Sequence, residues 1–260
     1  PSQLSNLRLA YDGLESSFWR SESEPFKLGL VCPNLLTLDL WSYAQSSYPN
    51  LDKPLPVKYF PQSLLTFRYD PYAQITPDVE QNGIPPIIPE LPSGLLMLKL
   101  KRVSFNSSAF GILPRGLLWF DASMNKQALQ YSDLSLLPPT LTVLKLTSEQ
   151  HSGFGPREPI ANFVHCFPTT LRKLCFAISE IGDWSCLKAL PALRWFYPSS
   201  MDLSDDLKIK DFSVITQHIE VIRMSSKFCI HDPQDKTLPR IVVKGNDPVL
   251  HAYRIRLDIA

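Results

Sequence analysis

Glycine is scarce in this chain, and long apolar runs are missing. Only 10 of the 260 residues are Gly, whereas 24 are Pro. No stretch approaches the roughly 18 consecutive apolar residues of a membrane-spanning helix, so we expect no membrane insertion. The sequence begins Pro1-Ser2-Gln3, without a Met and without a basic and then apolar leader. This start predicts no signal peptide and indicates a processed or truncated chain.

An excess of charge of either sign is also missing. The formal net charge is +1, a field too weak for bulk electrostatic capture of nucleic acid or of an anionic membrane. The five cysteines form an odd and scattered set, so they cannot all pair within one chain. Reduced thiols are typical of a reducing compartment, and we therefore expect an intracellular, cytoplasmic protein.

The chain does contain one phrase repeated in register, Leu-Pro-x-x-Leu-x-x-Leu-x-Leu. Its cleanest copies begin at Leu91-Pro92, Leu113-Pro114 and Leu137-Pro138. The first Leu of the Leu-x-x-Leu-x-Leu core, or its substitute, falls at Leu4, Leu35, Leu64, Leu95, Leu117, Leu141, Leu171, Leu193 and Ile219. The copies recur every 22 to 31 residues. Self-similarity at such a period predicts a solenoid of stacked repeats.

Each copy predicts a short strand followed by an irregular return. The last two apolar positions of the core alternate at period two, as a strand with one buried face requires. The upstream Pro lacks a donor and has a fixed φ, which suits the start of a strand. Pro residues crowd 71–92 and exclude a regular helix there. Segments 126–137 and 179–190 have room for about two helical turns each.

The repeats resemble those of leucine-rich-repeat proteins over residues 4–226. The Leu-Pro wording is similar to repeats of bacterial effector proteins and of some protist and fungal proteins. The resemblance implies an α/β solenoid, a horseshoe with a concave parallel β-sheet and an irregular, largely non-helical convex side. Two features depart from the family: the repeat lengths are uneven, and the Asn that closes the consensus survives clearly only as Asn125.

The sequence predicts two segments. Residues 1–228 form the solenoid of about nine irregular repeats, and residues 229–260 form a C-terminal capping segment, which the end of a solenoid needs. Within the capping segment, 241–243 and 253–259 have strand character and flank a turn at 245–248. This pattern predicts a β-hairpin.

In leucine-rich-repeat proteins the variable strand residues build the concave face, and the register assigns three columns of residues to it here. The central column is Arg8, Asp39, Arg68, Lys99, Asp121, Lys145, Cys175, Tyr197 and Arg223. One flanking column is Asn6, Thr37, Thr66, Met97, Trp119, Val143, Lys173, Trp195 and Val221. The other is Ala10, Trp41, Asp70, Lys101, Ser123, Thr147, Ala177, Ser199 and Ser225.

Aromatic and basic residues of these columns are the predicted partner contacts, because Trp, Tyr and Arg dominate interface hot spots. The predicted set is Trp41, Arg68, Lys99, Lys101, Trp119, Asp121, Lys145, Trp195, Tyr197 and Arg223. Two alternatives stay open. In the first, each Trp packs over a side chain of a neighbouring strand. In the second, the basic residues of the middle repeats form a solvated face that Asp39, Asp70 and Asp121 neutralise. This middle basic cluster consists of Arg68, Lys99, Lys101, Arg102 and Lys145.

Motifs that carry chemistry are weak, and we expect no cofactor and no metal. Gly153-Phe154-Gly155 does not extend to a dinucleotide fingerprint. Cys229, His231 and Asp232 are neighbours in sequence, and such neighbours rarely converge as a nucleophile set. His165-Cys166 lacks the further ligands of a metal site.

The sequence therefore predicts a non-enzymatic adaptor or scaffold that binds a protein partner on its concave face. Two alternatives stay open: the substrate-recognition fragment of a larger enzyme such as a ubiquitin ligase, and a structural subunit of a large assembly. Bacterial effectors with such repeats often carry a ubiquitin-ligase domain, and residues 229–260 are too few to form one.

Overall fold

One parallel sheet of ten strands organises the molecule. The computed structural model describes residues 3–11, 28–42, 60–71, 91–101, 107–123, 131–147, 159–177, 184–199, 219, 221–225 and 240–244, with backbone alone for the last two ranges. The strands are β1 (Asn6–Tyr11), β2 (Thr37–Ser42), β3 (Thr66–Pro71), β4 (Met97–Leu100), β5 (Trp119–Asp121), β6 (Val143–Leu146), β7 (Lys173–Ala177), β8 (Trp195–Ser199), β9 (Val221–Ser225) and β10 (Arg240–Lys244). They lie in chain order, each parallel to the next.

The apolar positions of the repeat build the core behind this sheet. The first Leu of each core from Leu35 to Leu193 is fully buried, and the next two apolar positions, such as Leu98 and Leu100, are buried as well except at Tyr69, which is partly buried. Because no repeat can cover this apolar face alone, the repeats must stack side by side. The architecture is the predicted leucine-rich-repeat solenoid.

The repeated Pro closes a turn just before the sheet. The amide of Leu64 donates to the Pro61 carbonyl oxygen at 3.1 Å, and the amide of Leu95 donates to that of Pro92 at 3.0 Å. The rings of both prolines are buried. Pro therefore fixes the turn with its backbone and fills the core with its ring, a second role beyond the predicted start of the strand.

Short 3₁₀ helices and turns form the described parts of the return segments. The one α-helix among them, α1, is Leu28–Val31, and the 3₁₀ helices are Ser107–Ile112, Tyr131–Leu136, Ile160–Asn162, Val164–Cys166 and Trp184–Ala189. The helical turns predicted in 126–137 and 179–190 are thus 3₁₀ turns that occupy the second half of each segment. The irregular convex side is confirmed.

Aromatic rings tie the returns to the sheet. The Phe110 ring meets the Phe120 ring of β5 edge to face, with centroids 5.9 Å apart. Trp184 meets Phe196 of β8 in the same way at 6.3 Å. Each ring of a return thus contacts a Phe of the strand that follows it, which packs the returns against the sheet.

Side-chain hydroxyl groups link successive repeats through the residue before the first Leu. The Thr140 hydroxyl lies 2.8 Å from the Arg115 carbonyl oxygen and 2.9 Å from that of Leu117. Ser63 and Thr170 occupy the equivalent position and contact the equivalent pair of carbonyl groups in the repeat before them. These bonds satisfy backbone oxygens that the parallel ladder does not reach.

The C-terminal strand β10 pairs in parallel with β9, from Arg240 opposite Val221 to Lys244 opposite Ser225. It therefore extends the sheet of the solenoid. The second predicted strand, 253–259, and the turn at 245–248 lie outside the described residues. The capping hairpin and the boundary at residue 228 stay predictions.

Two further expectations concern cysteine and the membrane. The four described cysteines form no disulfide and are Cys32, Cys166, Cys175 and Cys186, while Cys229 lies outside the described ranges. Within those ranges no helix is long and apolar enough to cross a bilayer.

Candidate interaction surface

The strand register brings the predicted columns together. Across β1 to β8, Arg8 lies opposite Asp39, then Arg68, Lys99, Asp121, Lys145, Cys175 and Tyr197. The flanking column runs without a break from Asn6 to Val221. These residues share the face of the sheet that points away from the core, which is the concave face. The side chain of Arg223 lies outside the described set.

A fourth column, which the period-two pattern missed, lies immediately before the first residue of each strand from β2 to β8. The amides of Leu65 and Thr66 both donate to the Leu36 carbonyl oxygen, at 2.9 and 3.0 Å. Two residues of one repeat therefore oppose one residue of the repeat before, as in a β-bulge. The bulge lets both side chains turn away from the core. The same arrangement recurs in every repeat to β8, where the backbone carbonyl oxygen of Arg172 accepts from the amides of Arg194 and Trp195.

Four leucines occupy this fourth column from β2 to β5. Leu36, Leu65, Leu96 and Leu118 are each 39 to 42% exposed, although other leucines of the same repeats are fully buried. We call these four residues the leucine row. Four aliphatic side chains on neighbouring strands make a contiguous apolar strip, and strips of this kind mark interaction sites. The signal lay in the sequence as a doubled Leu, Leu35-Leu36 and Leu64-Leu65.

Cations replace the leucines in the last strands of the same column. After Thr142 the column continues with Arg172 and Arg194, and Lys173 follows Arg172 at the start of β7. We call Arg172, Lys173 and Arg194 the C-terminal cations. Arg172 is exposed, and the Arg194 guanidinium donates to the Pro191 and Leu193 carbonyl oxygens at 3.1 Å each. The described strands β6–β8 present no acidic side chain on this face.

All three predicted tryptophans lie on the concave face, each beside a cation of a neighbouring strand. Arg8 lies 5.0 Å from the Trp41 ring centre, and Lys145 lies 5.3 Å from that of Trp119. Lys173 lies 5.2 Å from the ring centre of Trp195, which is 48% exposed. Trp41 and Trp119 are half-buried, and their role in partner binding stays a prediction beside the packing alternative. Trp195 keeps an open ring surface, and its role in partner binding stays a prediction.

Ion pairs neutralise most of the predicted middle basic cluster. Asp39 lies 4.0 Å from Arg68, and Asp70 lies 3.7 Å from Lys101. The interleaved aspartates thus act as the neighbours that the sequence indicated. Such half-exposed ion pairs contribute about 1 kcal/mol or less to stability, so a charged group of a partner can take the place of one member at small cost.

Asp121 has a different setting from the other two aspartates, because it is almost fully buried. Its carboxylate accepts hydrogen bonds from the amide and hydroxyl groups of Ser123 and lies 3.5 Å from the Lys145 ammonium group. These contacts hold Lys145 beside the Trp119 ring. Asp121 therefore contributes to the concave face indirectly, by positioning the Lys145 ammonium group.

Lys99 is the cation of the middle cluster whose ionisation is perturbed. Burial lowers its pKa below the ordinary value, and the positive charges of Lys101 and Arg68 lower it further against the opposing effect of Asp121 and Asp70. The protonated ammonium group is thus less stable here than in water. An acidic partner group would relieve this destabilisation.

The concave face is more basic than the chain as a whole. On β1–β8 and the adjoining fourth column, the described side chains are Arg8, Arg68, Lys99, Lys101, Lys145, Arg172, Lys173 and Arg194 against Asp39, Asp70 and Asp121. Eight cations and three anions give +5, compared with +1 for the whole chain. The acids lie on β2, β3 and β5, so the excess of positive charge lies towards β7 and β8.

The candidate chemical motifs of the sequence give no assembled centre in the described residues. His165 is exposed in a 3₁₀ helix beside Cys166, and no group of three His, Cys, Asp or Glu side chains that could hold a metal occurs in that part of the chain. The segments with Gly153-Phe154-Gly155 and with Cys229, His231 and Asp232 lie outside it.

Comparisons with known proteins give likenesses among solved structures alone. No protein family matches the sequence, and no curated protein is similar to it. Among solved structures, the fold is similar to that of an internalin, InlF, from Listeria monocytogenes, with 15% sequence identity and a TM-score of 0.44. The likeness covers 90% of this chain, which spans 56% of that protein.

Proposed function

We propose that this protein is a non-enzymatic interaction module that binds a protein partner on its concave face. The observation that carries the proposal is the leucine row, because the free protein leaves four neighbouring leucines partly exposed while the first Leu of each of these repeats is fully buried. Covering such a row removes apolar surface from water, which favours association. Trp195 and the C-terminal cations lie on the same face beyond β6 and supply the residue types of interface hot spots.

Site-specific photocrosslinking in cells of the source organism tests this function. A photoreactive phenylalanine analogue replaces Leu65 or Leu96 on the concave face, or Ile112 on a return segment. Ile112 is a matched control, because it is apolar and 61% exposed but lies in the 3₁₀ helix Ser107–Ile112. We expect a discrete protein adduct from positions 65 and 96 and none from position 112. Adducts from position 112 alone, or from no position, would refute the function.

A structural subunit of an assembly is the second candidate, and exposed apolar residues on the return segments favour it. Leu30 is 76% exposed and Val31 52% exposed in α1, and Ile112 shares this side of the molecule. This candidate predicts adducts from position 30 or 112 and none from the leucine row. The same crosslinking series, extended by position 30, therefore separates the two functions.

A further inference from the structure

The fourth column of the concave face has a direction, apolar at one end and cationic at the other. From β2 to β8 it consists of Leu36, Leu65, Leu96, Leu118, Thr142, Arg172 and Arg194. It crosses the strands, because each residue belongs to a different strand. A ligand that follows this column must be apolar over β2–β5 and acidic over β7–β8.

The spacing of the column fits an α-helix. Neighbouring strands lie about 4.8 Å apart, so the four leucines span roughly 15 Å and the whole column roughly 29 Å. A helix repeats every 5.4 Å, so its ridge of side chains drifts by only about 2 Å over the leucine row. An extended peptide places side chains of one face about 6.7 Å apart and drifts by about 6 Å. A helix of about 20 residues matches the full column.

The polarity of the column also orients the helix. The carboxyl-terminal end of a helix carries a partial negative charge of about half an elementary charge. Placing that end near Arg172 and Arg194 adds to the attraction of acidic side chains there. The opposite orientation would bring the positive helix end against the cations.

We infer that the partner segment is an amphipathic α-helix lying across β2–β8, with its apolar ridge on the leucine row and an acidic carboxyl-terminal end over the C-terminal cations. Lys173 holds its ammonium group 5.2 Å from the centre of the Trp195 ring, so a third cation lies beside Arg172 for the acidic end. This inference rests on the proposed function and narrows the partner to one chemistry.

Two synthetic peptides of about 20 residues test the inference. The first has leucines at positions i, i+4, i+7 and i+11 of its amino-terminal part and glutamates in the remaining carboxyl-terminal part. The second has the same composition in reversed order. Both carry a hydrocarbon staple that equalises their helicity. Isothermal titration with the full chain measures the dissociation constants, and Trp fluorescence reports contact.

We expect the first peptide to bind about two- to fivefold more tightly than the second, because only the first places the negative helix end over the cations. Leu65→Ser with Leu96→Ser should weaken its binding about tenfold, while Ile112→Ser should leave it unchanged. Arg172→Glu with Arg194→Glu should reverse the charge preference, so that a version of the first peptide with lysines in place of glutamates becomes the better ligand. Circular dichroism of each variant verifies that it is folded.

Equal affinity for the two orders, or no saturable binding of either peptide, would overturn the inference. Loss of binding in Ile112→Ser to the same extent as in the leucine double variant would overturn it too. The proposed function stands or falls separately. Crosslinks from Leu65 and Leu96 without preferential binding of the first peptide refute the helix alone, whereas the absence of those crosslinks refutes the function.

Discussion

Replacing Gly94 with Ser is expected to stabilise the protein, because it supplies a missing link between repeats. Gly94 occupies the position that Ser63, Thr140 and Thr170 hold in other repeats, where the hydroxyl group contacts two carbonyl oxygens of the repeat before. A Cβ added at Gly94 would lie 3.9 Å from the Gln62 carbonyl oxygen, an ordinary contact. The equivalent acceptors for the hydroxyl group that Gly94→Ser introduces are the carbonyl oxygens of Gln62 and Leu64.

The magnitude has two parts. One hydrogen bond contributes a net of about 0.5–1.5 kcal/mol. Removing the freedom of a Gly from the unfolded chain contributes about 0.4–1 kcal/mol where the new residue is not strained. The sum predicts a gain of about 1–2 kcal/mol in the free energy of unfolding. Gly94→Ala should give only the second part.

Urea unfolding followed by circular dichroism is the assay. Gly94→Ser should raise the midpoint above that of Gly94→Ala, and Gly94→Ala should raise it above wild type, with unchanged slopes. Thr140→Val is the mirror variant and should lose about 1 kcal/mol by removing an existing hydroxyl link. Equal midpoints for Gly94→Ser and Gly94→Ala would refute the view that these hydroxyl groups stabilise the stacking of repeats.

Three further predictions concern the sheet. Asp121→Asn should destabilise the fold by about 1–3 kcal/mol in thermal unfolding, since it leaves Lys145 without its anion; a change within error would contradict that pairing. Phe176→Ala should cost about 3–5 kcal/mol, because the ring is fully buried; a small loss would show that the site collapses. Burial first, and then neighbouring cations, lowers the pKa of Lys99 in the folded protein. Below this lowered pKa the protonated side chain destabilises the fold, and the destabilisation fades as pH rises towards the ordinary pKa of Lys. Lys99→Met should therefore raise stability at neutral pH and flatten this rise in a pH series; identical pH profiles would refute it.

The repeat phrase predicted the sheet well because each of its positions has one physical task. The Leu positions are core, and their spacing fixed the register, so Arg8 opposite Asp39 and Trp119 opposite Val143 followed residue by residue. The return segments were less predictable. The sequence of 126–137 predicted about two helical turns but not their type. The structure has a 3₁₀ helix, Tyr131–Leu136, which ends just before the next Leu-Pro pair.

The candidate surface was predicted in part, and the bulge explains the rest. Alternation at period two assigns Leu65 no face, because it lies between an inward Leu and the outward Thr66. Only the shared Leu36 acceptor, which turns both residues outward, shows that Leu65 is exposed. Arg172 and Arg194 were missed for the same reason. Ion pairing was likewise visible only in space, where Asp121 proved buried beside Lys145.

The affinity of the partner that crosslinks at Leu65 or Leu96 tests the central claim most directly. Its dissociation constant should be measured by titration for wild type, for Leu65→Ser with Leu96→Ser, and for Ile112→Ser. Covering two leucines that are about 40% exposed is worth about 0.6–1.2 kcal/mol each, so the double variant should bind roughly tenfold or more weakly. Ile112→Ser should match wild type. Equal affinities for all three proteins would contradict binding through the concave face.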